Sequence, residues 1–114
     1  MESVANQQKS LKAMLDEKKD HRNVLLLYGR DEMQSLLIDQ QETLNEVKDD
    51  LDKHELDVIA LAAGDIPEPD RQYLMQAFNL NITSNFVGWM VSKNGKIGEF
   101  FHEPKSAQAI FDLL

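Results

Sequence analysis

An α/β three-layer sandwich, with helices on both faces of a four-stranded mixed sheet, is the fold class this sequence predicts. Three observations carry that reading. Two short apolar runs, Val24-Leu25-Leu26-Leu27-Tyr28 and Val58-Ile59-Ala60-Leu61-Ala62-Ala63, are separated by one helix-length amphipathic stretch. Strand, helix and strand joined by short turns make a right-handed βαβ unit with parallel strands. Two further apolar stretches flank Lys93-Asn94-Gly95, and Asn-Gly is the preferred pair for a tight hairpin because both residues tolerate positive φ. Helical periodicity before, between and after these strands supplies cover for both faces of the sheet.

The elements follow in order. Val4, Leu11 and Leu15, with Met14 beside them, recur at near-helical spacing, which predicts an amphipathic helix over 3–19. After the polar break at 18–23, the run 24–28 is a strand covered on both faces, ended by Gly29. Met33, Leu36, Leu37, Leu44, Val47 and Leu51 share one face of a helix over about 31–53. Gln40 and Gln41 interrupt that stripe, so a kink or a partly exposed middle is expected there. Residues 57–63 form a second buried strand closed by Gly64. Pro69 suits the first turn of a helix over about 69–79, with Leu74, Met75 and Phe78 inward; residues 79–85 are a loop.

In the hairpin, alternation sets Phe86, Gly88 and Met90 on one face and Val87, Trp89 and Val91 on the other. Trp89 is therefore core beneath a helix, a binding platform being the alternative. The second hairpin strand, 96–101, lies at a sheet edge, where Lys96 and Glu99 guard against pairing; strand addition by a partner is the functional alternative. A last helix begins after Ser106, its N-cap, with Ala107, Ile110, Phe111 and Leu114 on one stripe.

Composition bounds the function. The 114 residues make one domain, long enough to bury a core without staples. Cysteine is absent, and only a thiolate attacks disulfides or peroxides, so thiol chemistry is excluded. Twelve basic against twenty acidic side chains give a net charge of −8, which argues against nonspecific nucleic-acid binding. Residues 39–57 concentrate the acidity: Asp39, Glu42, Glu46, Asp49, Asp50, Asp52, Glu55 and Asp57 against Lys48 and Lys53. A solvated helix face accounts for such a run; an acidic docking face is the functional reading. No apolar run approaches the roughly 20 residues that cross a bilayer, so no membrane insertion is expected. The start, Met1 to Asn6, lacks the basic and apolar regions of a signal peptide. A cytoplasmic location is the expectation, or a periplasmic or secreted one if a leader was removed.

The residues also carry a resemblance. The segment Arg22-Asn23-Val24-Leu25-Leu26-Leu27-Tyr28-Gly29 resembles the first strand of a poorly characterised bacterial domain family related to thioredoxins and peroxiredoxins. Relatives of that family occur in vertebrate matrix proteins carrying sushi repeats. The strand-like 56–63, Phe78-Asn79-Leu80, the hairpin with Lys93-Asn94-Gly95 and the tail Glu103-Pro104-Lys105-Ser106 are similar to the family's pattern in the same order. The resemblance spans about residues 20–114. It implies a thioredoxin-like sandwich with strand order 2-1-3-4 over 1–114, residues 1–20 being an N-terminal helical extension. Redox-active relatives place their cysteines after the first strand, where this chain has Tyr28, Gly29, Arg30, Asp31 and Glu32. They place a cis-proline before the hairpin, where this chain has Asn85-Phe86-Val87; a non-proline cis bond costs about 3 kcal/mol, so a trans bond is expected.

The resulting expectation is a non-catalytic thioredoxin-like module that binds an unidentified protein or peptide. It has no catalytic residue, cofactor or metal, and is a monomer or a weak homodimer through the N-terminal helix. The loop 28–32 is the candidate ligand or partner site. The alternative is a small-anion or metabolite binder or enzyme using that loop, with Arg30 as the charged fork at a helix N-terminus. Asp31 and Glu32 oppose an anion there, and simple capping explains them. His21, His54 and His102 are far apart and form no ligand pair. Asn81-Ile82-Thr83 matches a glycosylation sequon, a short match that is frequent by chance.

Overall fold

The strongest apolar run becomes the centre of the sheet. The structure, a computed structural model, describes residues 10–114, apart from the side chain of Met33. Strands β1 (Asn23–Gly29), β2 (Leu56–Ala62), β3 (Phe86–Val91) and β4 (Ile97–Phe101) form one sheet in the order β2-β1-β3-β4. β1 pairs parallel with β2 and antiparallel with β3, and β3 pairs antiparallel with β4. Leu25, Leu26 and Leu27 are fully buried between two helical layers, each contributing about 1.5–3 kcal/mol of transfer free energy.

Successive side chains of the central strands feed two cores, as a period of two requires. Val24, Leu26, Tyr28, Val87, Trp89 and Val91 meet α1 (Leu11–Lys18) and α4 (Glu68–Ala77). Leu25, Leu27, Phe86 and Met90 meet α2 (Gln34–Asn45), α3 (Lys48–Lys53) and α5 (Ala107–Phe111). Trp89 is core, with its ring 5.3 Å from that of Phe78. Ser10 caps α1 by accepting from the Ala13 amide at 3.1 Å, and Ser106 caps α5 in the same way from Ala109 at 3.2 Å. α1 is fastened to α4 where the Leu11 amide donates to Asp70 at 3.0 Å. The expected first helix is described only from Ser10 onward, so Val4 lies outside the described residues.

Several expectations need correcting. The helix over 31–53 is three pieces: a 3-10 turn at Asp31–Met33, then α2 and α3, which meet at Glu46 and Val47. Of the two glutamines, Gln41 is half-buried, but Gln40 does not face water. It is 0% exposed, its Nε2 donating to the Lys105 carbonyl at 2.9 Å and its Oε1 accepting from the Lys105 amide at 2.7 Å. A polar side chain that satisfies a backbone pair this way is stable in the core. Met75 is 44% exposed because α4 turns only Leu74 fully inward, and Leu113 replaces Leu114 against the core. The hairpin turn is also different from the two-residue form. Gly95 donates to Ser92 at 2.9 Å and takes φ +84°, while Asn94 keeps a negative φ. This is a turn followed by a left-handed glycine, the three-residue hairpin form.

The largest correction concerns β2. An apolar run reads as a doubly covered strand, yet every residue of β2 after Leu56 is only half-buried. The strand order leaves β2 with β1 on one side and no strand of the described residues on the other.

Candidate functional site

The loop at 28–32 is built as a clasp. Tyr28 is buried near the end of β1 and donates its hydroxyl to the Ile82 carbonyl at 3.1 Å. Burial pushes its phenol up, with Arg71 and Arg30 opposing, so it stays a proton donor rather than a base at neutral pH. Gly29 sits so near α2 that a Cβ there would lie 3.0 Å from the Leu37 Cβ. Arg30 uses Nε on Glu32 at 3.1 Å and Nη1 on the Thr83 carbonyl at 3.1 Å, and its Nη2 also pairs with Glu32.

Glu32 and Asp31 both lie in the first turn, where their charge complements it as the capping reading expects, although no side-chain hydrogen bond caps that turn and none comes from Asp31. Its Oδ1 instead accepts from the Gly64 amide at 2.9 Å, tying the end of β1 to the end of β2. The Arg30 amide donates to Asn85 at 3.0 Å and closes the loop on the segment before β3. The polar groups that an anion would need are therefore engaged in joining three loops. Every described peptide bond, including those at 85–87, is trans.

The remaining sequence candidates stay apart. His21, His54 and His102 are exposed, and His54 stacks on Phe111 with ring centroids 4.3 Å apart. Among the described residues no group of three or more His, Cys, Asp or Glu is placed to hold a metal ion. None of their helices is long and apolar enough to cross a membrane. Asn81 is exposed, and its Oδ1 accepts from the Thr83 amide at 2.9 Å and from the Thr83 hydroxyl at 2.6 Å.

Asp57, grouped with the acidic run by sequence, has a separate place at the start of β2. It receives Lys18 Nζ at 2.7 Å and Arg22 at 2.8 and 3.2 Å, and Arg22 extends to Asp52 at 3.3 Å. Burial alone would push the Asp57 carboxyl up. The hydrogen bonds and charges of Lys18 and Arg22 overcome that and hold it below the usual carboxylate range. The cluster clips α1, the turn after it, α3 and β2 together.

The surface features that sequence reasoning missed lie along β2. A cleft of about 360 Å³ runs beside its first half, floored by Leu44, Leu51, Leu56 and Val58, with Asp52 at its rim. A second, of about 430 Å³, runs beside its second half between α2 and Ala60 to Ala62, with Asp65 at its rim. The strand order 2-1-3-4 was the signal available for this edge, because it names β2 as terminal whatever its composition. Comparison of the chain with protein-family models gives no match, and comparison with curated proteins gives none either.

Proposed function

We propose that this chain is a non-catalytic, thioredoxin-like module that binds another protein or a peptide, without thiol redox activity. The observation that carries the reading is the edge of β2 that no strand of the described residues pairs with, in a seven-residue strand whose only charge is Asp57. Exposed apolar strand edges are templates for another chain. Two further features support it. Cysteine is absent from the sequence, and the loop at the end of β1 spends its polar groups on internal contacts. The order β2-β1-β3-β4 with β1 and β2 parallel agrees with descent from the thioredoxin/peroxiredoxin-like family that residues 20–114 resemble.

Selection of short random peptides displayed on phage against the immobilised chain tests the proposal. The expected result is a convergent consensus that competes, as a free peptide, for the same chain in solution. Recovery of no consensus above the blank support, together with a thermal shift caused by a metabolite or anion, would replace it with the small-ligand reading.

A further inference from the structure

Resting on that reading, we infer that the partner is an extended segment carrying Lys or Arg that adds as a fifth strand to the free edge of β2. The backbone sets the chemistry of recognition. The Asn23 amide donates to the Glu55 carbonyl at 2.8 Å, and Asn23 is in register with Leu56. In a parallel ladder this turns the polar groups of Asp57, Ile59 and Leu61 toward β1, and those of Val58, Ala60 and Ala62 outward. No backbone group of the described residues hydrogen-bonds those outward groups. They offer a peptide backbone what a neighbouring strand would offer, and the two clefts beside them receive alternate side chains of an added strand.

Charge selects among possible strands. Asp57 is already neutralised by Lys18 and Arg22. Asp52, which shares Arg22 at 3.3 Å but keeps its side chain 82% exposed, marks the first half of the edge, and exposed Asp65 marks the second. Among the described residues Lys48 is the only cation lining the two clefts. The neighbouring helical segment adds exposed Asp39, Glu42, Glu46 and Asp49. A second copy of the chain would bring these same carboxylates, and its own net charge of −8, against one another. A basic strand meets them with opposite sign.

Fluorescence anisotropy of a labelled peptide of alternating valine and lysine, titrated with the full chain, reads this out. Saturable binding is expected, together with no binding of the valine–glutamate counterpart or of a valine–lysine peptide N-methylated at every amide. Ala60→Pro removes an outward amide, a position where an edge strand tolerates proline, and should weaken binding by about tenfold or more. Asp52→Lys with Asp65→Lys, both at exposed positions, should do the same, and carries the test if the proline variant does not fold. Equal binding of the N-methylated peptide, or binding unaffected by both sets of substitutions, overturns strand addition at β2 while leaving a binding module using another surface. Failure of every peptide overturns it too. So does a dimer in sedimentation equilibrium that Ala60→Pro dissolves, which makes the occupant a second copy.

Discussion

The two edges of the sheet are protected in opposite ways. β4 is short, carries Gly98 and Glu99, follows Lys96, and breaks register with β3 between Trp89 and Val91. Irregularity and charge of that kind discourage another strand from pairing. It can therefore leave Phe100 62% exposed without presenting a regular ladder. β2 keeps an unbroken register with β1 from Leu56 to Ala62 and bears no lysine, proline or glycine. Its cover is partial and comes from helices, with an ion cluster only at its first end. An edge that is regular and apolar but incompletely covered is suited to accept a strand, and the guarded edge is not.

The largest expected effect breaks the guarded side. A Cβ at Gly88 would lie 2.4 Å from Cζ of Phe101, a buried ring that packs on Phe86. Gly88→Ala should therefore destabilise by about 3 kcal/mol, the upper end for overpacking a core. Hydrogen exchange should show β4 amides losing protection before those paired between β1 and β2. Simultaneous loss in both places would mean the two edges are not separable units.

A second substitution acts on the same side through the loop between β4 and α5. Gln40→Ala leaves the amide and carbonyl of Lys105 without their side-chain partners and opens space in the core. A loss of about 2–3 kcal/mol is expected in denaturant unfolding. Gln40→Glu should be worse than Gln40→Ala at neutral pH, since it buries a carboxylate that cannot donate to the Lys105 carbonyl.

These sites show what could be read from the chain. The buried run of β1, the alternation of Phe86 to Val91 and the Ser106 cap depend on neighbours close in sequence, and the structure bears each out. Gln40 finds its partner 65 residues away, and Asp31 finds Gly64 across 33, so neither contact leaves a local pattern. β2 failed for a different reason. Burial between two strands and exposure at an edge can be served by the same apolar residues, and only topology separates them. Of the candidate loop, position was legible, but the internal use of its charges required the three loops to meet in space.

On the β2 side, Asp57→Asn tests how firmly the edge strand is clipped. It should cost about 1–2 kcal/mol, between the values for exposed and buried pairs. The wild-type carboxyl is held below its unfolded value by Lys18 and Arg22, after burial is overcome. Its stabilisation is thus present above the unfolded value and lost as pH falls through the lower folded one. Urea unfolding of the two proteins should differ fully above about pH 5 and converge progressively below about pH 4. A difference independent of pH would assign the effect to packing instead of charge.

The smallest expected effect belongs to Arg30, whose side-chain contacts are exposed and involve neither edge strand. Its pairing with Glu32 is a surface ion pair across two residues, and the Thr83 carbonyl it also serves can turn to water. Arg30→Ala should leave the melting temperature within about two degrees of wild type. It should also leave binding of the valine–lysine peptide unchanged, because β2 keeps its geometry. Inorganic phosphate supplies the contrast. An anion site would require Arg30 to abandon Glu32, so phosphate should not raise the melting temperature of either protein beyond what equal ionic strength of chloride does. A phosphate-specific rise that Arg30→Ala removes would move the proposed binding site from the strand edge to the loop.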